Sequence, residues 1–199
     1  MRYVDAPVVQ ADIHIEATPQ RVWDLVIDIE LPARLSPELQ RVQWLDGASG
    51  PTVGARFMGY NHNPVLGEWR TTAQVTELNP LRVFAWAVTD PDGRFGASTT
   101  TGPMATWRFE LTPQDGGTQL RQSVQIGPAR SGLSLAIDRM PEEEAQLVAY
   151  RIRQLRAGME ATLAGTKSLA GTRQAAIRSS PSRRPATRTQ FTRDAGSRS

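Results

Sequence analysis

Val9, Ala11, Ile13, Ile15 and Ala17 alternate with Gln10, Asp12, His14 and Glu16. This period-two pattern predicts a strand with one face in a core and one in water. Thr18 then offers a side-chain oxygen to the free backbone N–H groups of a helix start, and Pro19 takes the first helical position. Val22, Leu25, Val26 and Ile29 follow at helical spacing, with Trp23 beside the stripe. Pro32 is expected to end this helix, with a short second helical turn over residues 33–39.

A run of strands comes next. Residues 42–45 lead into a turn region bounded by Gly47 and Gly54. Ala55, Phe57, Gly59 and Asn61 then share one face, opposite Arg56, Met58, Tyr60 and His62. After the Asn63-Pro64 turn, Gly67, Trp69, Thr71, Ala73 and Val75 oppose Glu68, Arg70, Thr72, Gln74 and Thr76. Phe84, Trp86 and Val88 alternate with Val83, Ala85 and Ala87, so both faces are apolar there and the phase stays open. Residues 89–103 read as a long Gly/Thr/Pro-rich connection. Ala105, Trp107, Phe109 and Leu111 oppose Thr106, Arg108 and Glu110. Asp115-Gly116-Gly117 signals a hairpin, and Leu120, Gln122, Val124 and Ile126 complete a meander.

The final element begins near Pro141, where Glu142, Glu143 and Glu144 place negative charge in the first turn. Val148, Ile152, Leu155, Met159 and Leu163 form its apolar stripe, and Gly165 is the expected stop. Beyond it Ser, Thr, Arg, Gly, Pro and Ala dominate. Such a segment buries too little apolar surface to offset its ordering entropy, so 167–199 is expected to be a disordered tail after a 1–166 domain. One strand, a helix pair, six strands and a long helix make an α+β chain whose last helix must cover the apolar face of the sheet.

Composition changes this picture in one respect. The net charge is +3 and the pI about 9.9, but residues 1–165 carry 15 Arg against 19 acids, while 166–199 carry seven Arg and Lys167 against Asp194. The basic character therefore belongs to the tail, where only Arg183 and Arg184 are adjacent and Phe191 is the one aromatic residue. That dispersal argues against a nucleic-acid site. There is no cysteine, hence no disulfide framework, thiolate metal site or Cys nucleophile. No stretch approaches the ~20 apolar residues a membrane span needs. Residues 1–12 show no charged segment followed by an apolar run, so the expected location is cytoplasmic.

Several motifs resemble the START-like helix-grip superfamily (SRPBCC), which includes polyketide cyclase/dehydrase-like and Bet v 1-like proteins. They run from Ile13–Glu16 through Pro19–Val26 to Asp28, then Trp44, Gly54–Phe57, Gly59–Asn61, Trp69–Thr71, Pro80, Phe84–Trp86, Thr106–Leu111 and Gly116–Thr118. The chain looks most like the small single-domain members of actinobacterial type, over residues 8–165. The resemblance implies a curved antiparallel sheet of about seven strands wrapped around the C-terminal helix, with an internal cavity. It further implies binding or transport of a small hydrophobic ligand: a lipid, a polyketide-like compound or an isoprenoid. A cyclase or dehydratase without metal or covalent nucleophile is one alternative. A ribosome- or chaperone-associated interaction protein is another.

Within that fold, Phe57, Trp69, Trp86 and Trp107 are the expected apolar wall, either of a ligand cavity or of a solid core. Asn61 and Thr71 share the inward face and would orient a ligand, with Gln122 as a further inward polar residue; Asn61 alternatively caps the turn that follows it. His14 lies on a solvated strand face between Asp12 and Glu16, and His62 near the pocket mouth. Arg151 borders the helix stripe and either reaches a ligand or snorkels to water. No His/Cys/Asp/Glu set has ligand-like spacing, so no metal is expected, and no cofactor. There is no phosphate-binding glycine loop and no nucleophile elbow. Nothing in the sequence assigns a catalytic residue or an oligomeric state.

Overall fold

The first alternating stretch becomes β1 (Val8–Ile15), and it pairs antiparallel with the last strand, β7 (Gly117–Ile126). From β7 the sheet continues through β6 (Ala105–Gln114), β5 (Val83–Thr89), β4 (Gly67–Asn79) and β3 (Arg56–Asn63) to β2 (Leu39–Trp44). All pairings are antiparallel, and β1 and β2 are the two free edges of an open sheet. The computed structural model describes residues 2–64, 66–97 and 101–178, with side chains described as far as 171.

Two short helices connect the edges, α1 (Pro19–Val26) and α2 (Glu30–Leu35). Thr18 caps α1 as expected, its hydroxyl accepting from the Arg21 N–H at 3.3 Å. The boundary between the two helices differs from expectation. α1 ends at Val26, and Pro32 lies inside α2 instead of ending α1. The Asp28 carboxylate accepts from the Glu30 N–H at 2.9 Å and so starts a new helix there. Pro32 then falls in the first turn, where a missing N–H costs nothing.

A third helix, α3 (Gly132–Arg139), was not expected at all. Its start is signalled by Ser131 and Ser134, whose hydroxyl accepts from the Ser131 N–H at 3.0 Å, a short-chain version of a capping box. A 3-10 turn at Pro141–Glu143 leads into the long α4 (Glu144–Arg178). Gly165 does not stop this helix. A Cβ there would lie 2.6 Å from Leu35 Cδ2, so the glycine admits α2 against α4. Thr162 and Thr166, both buried, donate back to the carbonyls of Gly158 and Thr162. The helix therefore takes in 167–178 of the span expected to be disordered, and 179–199 lie outside the described residues.

Register sorts the large apolar residues onto the concave face. Trp44, Phe57, Ala73 and Val88 form one cross-strand row; Val75, Trp86, Trp107 and Val124 form the next. Leu78, Phe84, Phe109, Gln122 and Ala11 form a third. A bulge between Val75 and Glu77 puts Val75 and Leu78, three residues apart, on the same face. The open phase of β5 is thereby resolved: Phe84 and Trp86 point inward. Ala85 is buried on the outer face because its cross-strand neighbours Glu77 and Arg108 pair with each other over it.

α4 makes its nearest backbone approaches to β1 and β7 and to the three shorter helices. No helix among the described residues is long and apolar enough to cross a membrane.

Candidate functional site

The concave wall is a connected set of rings. Trp86 stacks on Trp107 with centroids 6.4 Å apart and planes 12° from parallel. It also touches Phe57 at 6.3 Å, Phe84 at 5.0 Å and Phe109 at 5.9 Å. Such contacts contribute about 0.5–1.5 kcal/mol each beyond area burial. Phe57 and Trp86 are buried within the core cluster, whereas Trp107 is only partly buried against it. Of the four aromatic candidates, then, Phe57, Trp86 and Trp107 are brought together and Trp69 stands apart, nearer the sheet rim.

Asn61 and Thr71 meet. The Asn61 Nδ2 donates to Thr71 Oγ1 at 3.3 Å and to the Gly59 carbonyl at 3.4 Å. Gly59 makes this possible, since a Cβ there would lie 2.8 Å from Thr71 Oγ1 and 3.2 Å from Leu39 Cδ1. Asn61 pairs across the strands with both Leu39 and Trp69. The result is a small amide–hydroxyl patch at the rim end of an otherwise apolar concave face, half-buried, with the Asn61 carboxamide oxygen free among the described residues.

The apolar stripe of α4 is covered unevenly. Val148, Met159 and Leu163 are 0–2% exposed, and Thr166 and Ala170 extend the buried stripe. Ile152 and Leu155, in the middle, are only partly buried although they pack against the same core. Arg151, beside them, neither snorkels freely nor points at a vacant space. It forms a two-pronged ion pair with Glu38, both bonds 3.1 Å, tying α4 to the chain just before β2.

Two cavities stand out among the described residues. The smaller, about 290 Å³, lies where Ile27, Asp28 and Ile29 face Val42, Trp44 and Pro51. The larger, about 630 Å³, is an open groove at the rim of β2, β3 and β4, walled by the loop after β5. Asn61, His62 and Trp69 line it, so three residues singled out in the sequence share one groove. Sequence reasoning missed its other members, Arg41, Tyr60, Arg70 and Arg94 among them. Arg41, Tyr60 and Arg70 lie on outward strand faces and Arg94 in the loop after β5, and only the fold brings them together. Arg70 pairs with Asp92 through two hydrogen bonds. That bond holds the Asp92 carboxyl below its ordinary range and the Arg70 guanidinium above its own. Arg94 donates to the carbonyls of Leu66 and Glu68 and so fastens the loop to the β3–β4 hairpin.

The remaining candidates have local partners. His14 Nδ1 lies 3.3 Å from Gln114 Oε1, and Asp12 accepts from Gln119, so the strand-face residues around His14 serve the sheet edge. Gln122 is 4% exposed, and its side-chain oxygen has no hydrogen-bond partner. Among the described residues no three His, Cys, Asp or Glu are gathered as a metal site.

An open seven-stranded antiparallel sheet with a long C-terminal helix across it defines a helix-grip α+β protein of the START-like superfamily. Residues 6–171 match the family of polyketide cyclase/dehydrase and lipid transport proteins, and the chain belongs to it. Among solved structures it is similar to the Polyketide_cyc-like protein Cgl2372 from Corynebacterium glutamicum, with 25% identity and a TM-score of 0.58 over 87% of this chain and 97% of that one. The di-domain ARO/CYC StfQ from the steffimycin biosynthetic pathway shares the fold at TM-score 0.65 and 15% identity; 86% of this chain covers 53% of StfQ, about half its length. Ara h 8.0201 shares it at TM-score 0.51 and 15% identity, over 81% of this chain and 98% of that one. No curated protein matches the sequence.

Proposed function

We propose that the protein binds and carries a small hydrophobic molecule, a lipid, polyketide-like compound or isoprenoid, between the concave aromatic wall and the middle of α4. The observation that carries this reading is the uneven burial of the α4 stripe. Its ends are sealed into the core while Ile152 and Leu155 stay partly accessible. On the sheet side Trp107 is likewise only partly covered. Accessible apolar area on both surfaces is what a ligand would remove from water, at about 25 cal/mol per Å².

In this reading Phe57, Trp86 and Trp107 supply the wall, Trp69 stands at the rim, and the Asn61–Thr71 pair orients a ligand carbonyl or hydroxyl. Among the described residues the inward polar side chains of the sheet are amides and hydroxyls: Asn61, Gln122, Thr71 and Thr118. Such groups hold a ligand by hydrogen bonds and do not exchange its protons near neutral pH, which favours carriage over acid–base catalysis.

Native mass spectrometry of protein purified from its own host, with extraction and identification of bound molecules, tests the proposal. The expected result is a co-purifying apolar compound, bound again on addition to stripped protein and released chemically unchanged. Leu155→Trp adds bulk at the partly exposed middle of α4 and should abolish that binding while the protein stays folded. Recovery of no compound, with no thermal shift across a lipid and polyketide panel, overturns the carrier reading. Conversion of the added compound replaces it with the cyclase reading.

A further inference from the structure

We propose that the groove at the rim of β2, β3 and β4 is a second binding site for a small planar aromatic carboxylate, distinct from the α4-facing interior although Asn61 and Trp69, on the inward face, line its inner edge. Register builds it. Arg41 pairs with Tyr60, and Tyr60 pairs with Arg70, so an Arg–Tyr–Arg row crosses three adjacent strands on the outer face. Neighbouring strands lie about 4.8 Å apart, so the backbone positions of the two arginines stand about 10 Å from each other with Tyr60 between them. Only one of them is neutralised: Arg70 is held by Asp92, while Arg41 pairs with no carboxylate among the described residues.

Arg41 is nevertheless fixed in place. Its guanidinium lies over the Tyr60 ring, 3.8 Å from the centroid, and one amino group reaches Gln43 Oε1 at 3.4 Å. A guanidinium lying over a ring can keep its edge donors, and such edges grip a carboxylate with two parallel hydrogen bonds. Because stacking already restricts the side chain, little further rotamer entropy is lost on binding.

Charge selects the class of anion. The groove holds Arg41, Arg70 and Arg94 against Glu68 and Asp92, one surplus positive charge. A carboxylate neutralises it, whereas a phosphate dianion overshoots. The aromatic requirement comes from Trp69, which is half-buried and lines the groove from the inward side, the Tyr60 ring being already covered by Arg41. Flat π surfaces beside a guanidinium favour a planar ring on the acid. A volume of about 630 Å³ admits a two-ring acid.

Calorimetric titration of the full chain with 2-naphthoate tests this, with 2-naphthol, acetate and inorganic phosphate as the other arms. Naphthoate should bind saturably at one site, and 2-naphthol, acetate and phosphate each at least tenfold more weakly. Arg41→Gln should weaken naphthoate by about tenfold to a hundredfold, the worth of a hydrogen bond to a charged group. Arg41→Lys, which keeps the charge but loses the planar fork, should lose a large part of that affinity. Leu155→Trp, which blocks the interior, should leave naphthoate binding unchanged. Unaltered affinity in Arg41→Gln overturns the proposal, as does equal binding of naphthol or tighter binding of phosphate. Loss of naphthoate binding in Leu155→Trp also overturns it, by moving the ligand to the interior. The interior reading stands or falls independently, on the co-purified ligand.

Discussion

Gln122→Leu should make the protein more stable. Gln122 is 4% exposed on the concave face of β7, between Leu120 and Val124 along the strand and between Phe109 and Ala11 across it. Its side-chain oxygen has no hydrogen-bond partner. An acceptor that gives up water without gaining a donor costs about 1–3 kcal/mol. Leucine is close to glutamine in size, so it removes that cost without opening a cavity and adds apolar burial in a row that is otherwise hydrocarbon. For a domain of this length each kcal/mol moves Tm by about 2–4 °C, so the expected rise is about 2–12 °C. Differential scanning calorimetry reads the shift. Urea unfolding with an unchanged m-value shows that the native state, not the denatured one, has changed. A lower Tm in Gln122→Leu would falsify the reasoning, because it would mean that the amide is satisfied in the folded protein.

Gly117→Ala should destabilise strongly, by about 3 kcal/mol, because its Cβ would lie 2.1 Å from the Ile15 carbonyl oxygen, a backbone atom that cannot swing away; the midpoint of chemical denaturation measures this. The Arg70–Asp92 pair has a defined pH sign. A carboxyl whose folded value is lowered contributes above its ordinary range and loses that contribution as the pH falls through the folded value. The loop after β5 should therefore stay anchored through mildly acidic solution and loosen only below the usual carboxylate range. Carbon NMR titration of the Asp92 carboxyl should show a lower midpoint in the parent protein than in Arg70→Gln, and equal midpoints would refute the pairing.

Much of the sheet was legible along the chain. Each strand buries one face, so alternation alone places Phe57, Trp69, Trp107 and Phe109 on the inward side and Tyr60, Arg70 and Arg108 on the outward one. The Thr18-Pro19 start of α1 and the Gly116-Gly117 hairpin were legible for the same kind of reason, since the backbone there needs those residues whatever surrounds them. β5 was ambiguous because Ala85 is as apolar as its inward neighbours. Only the Glu77–Arg108 pair, closed over it from two other strands, explains an alanine buried on the outer face. Gly165 read as a helix stop because glycine is a poor helix former; its actual use is spatial, to admit Leu35.

By itself the sequence determined most strands with their inward faces, the start of α1 and the stripe of α4, because periodicity and caps depend on residues a few positions apart; α3 and the phase of β5 were not legible this way, and the family showed through a resemblance of motifs. Tertiary structure decided which residues meet. Asn61 and Thr71 become one patch, and Arg41, Tyr60 and Arg70 become one row, through strand register, which is set jointly by turns, bulges and the shared core. It also decided that the α4 stripe is sealed at its ends and accessible in its middle. That depends on how far a curved sheet stands from a straight helix, a distance that no stretch of sequence contains.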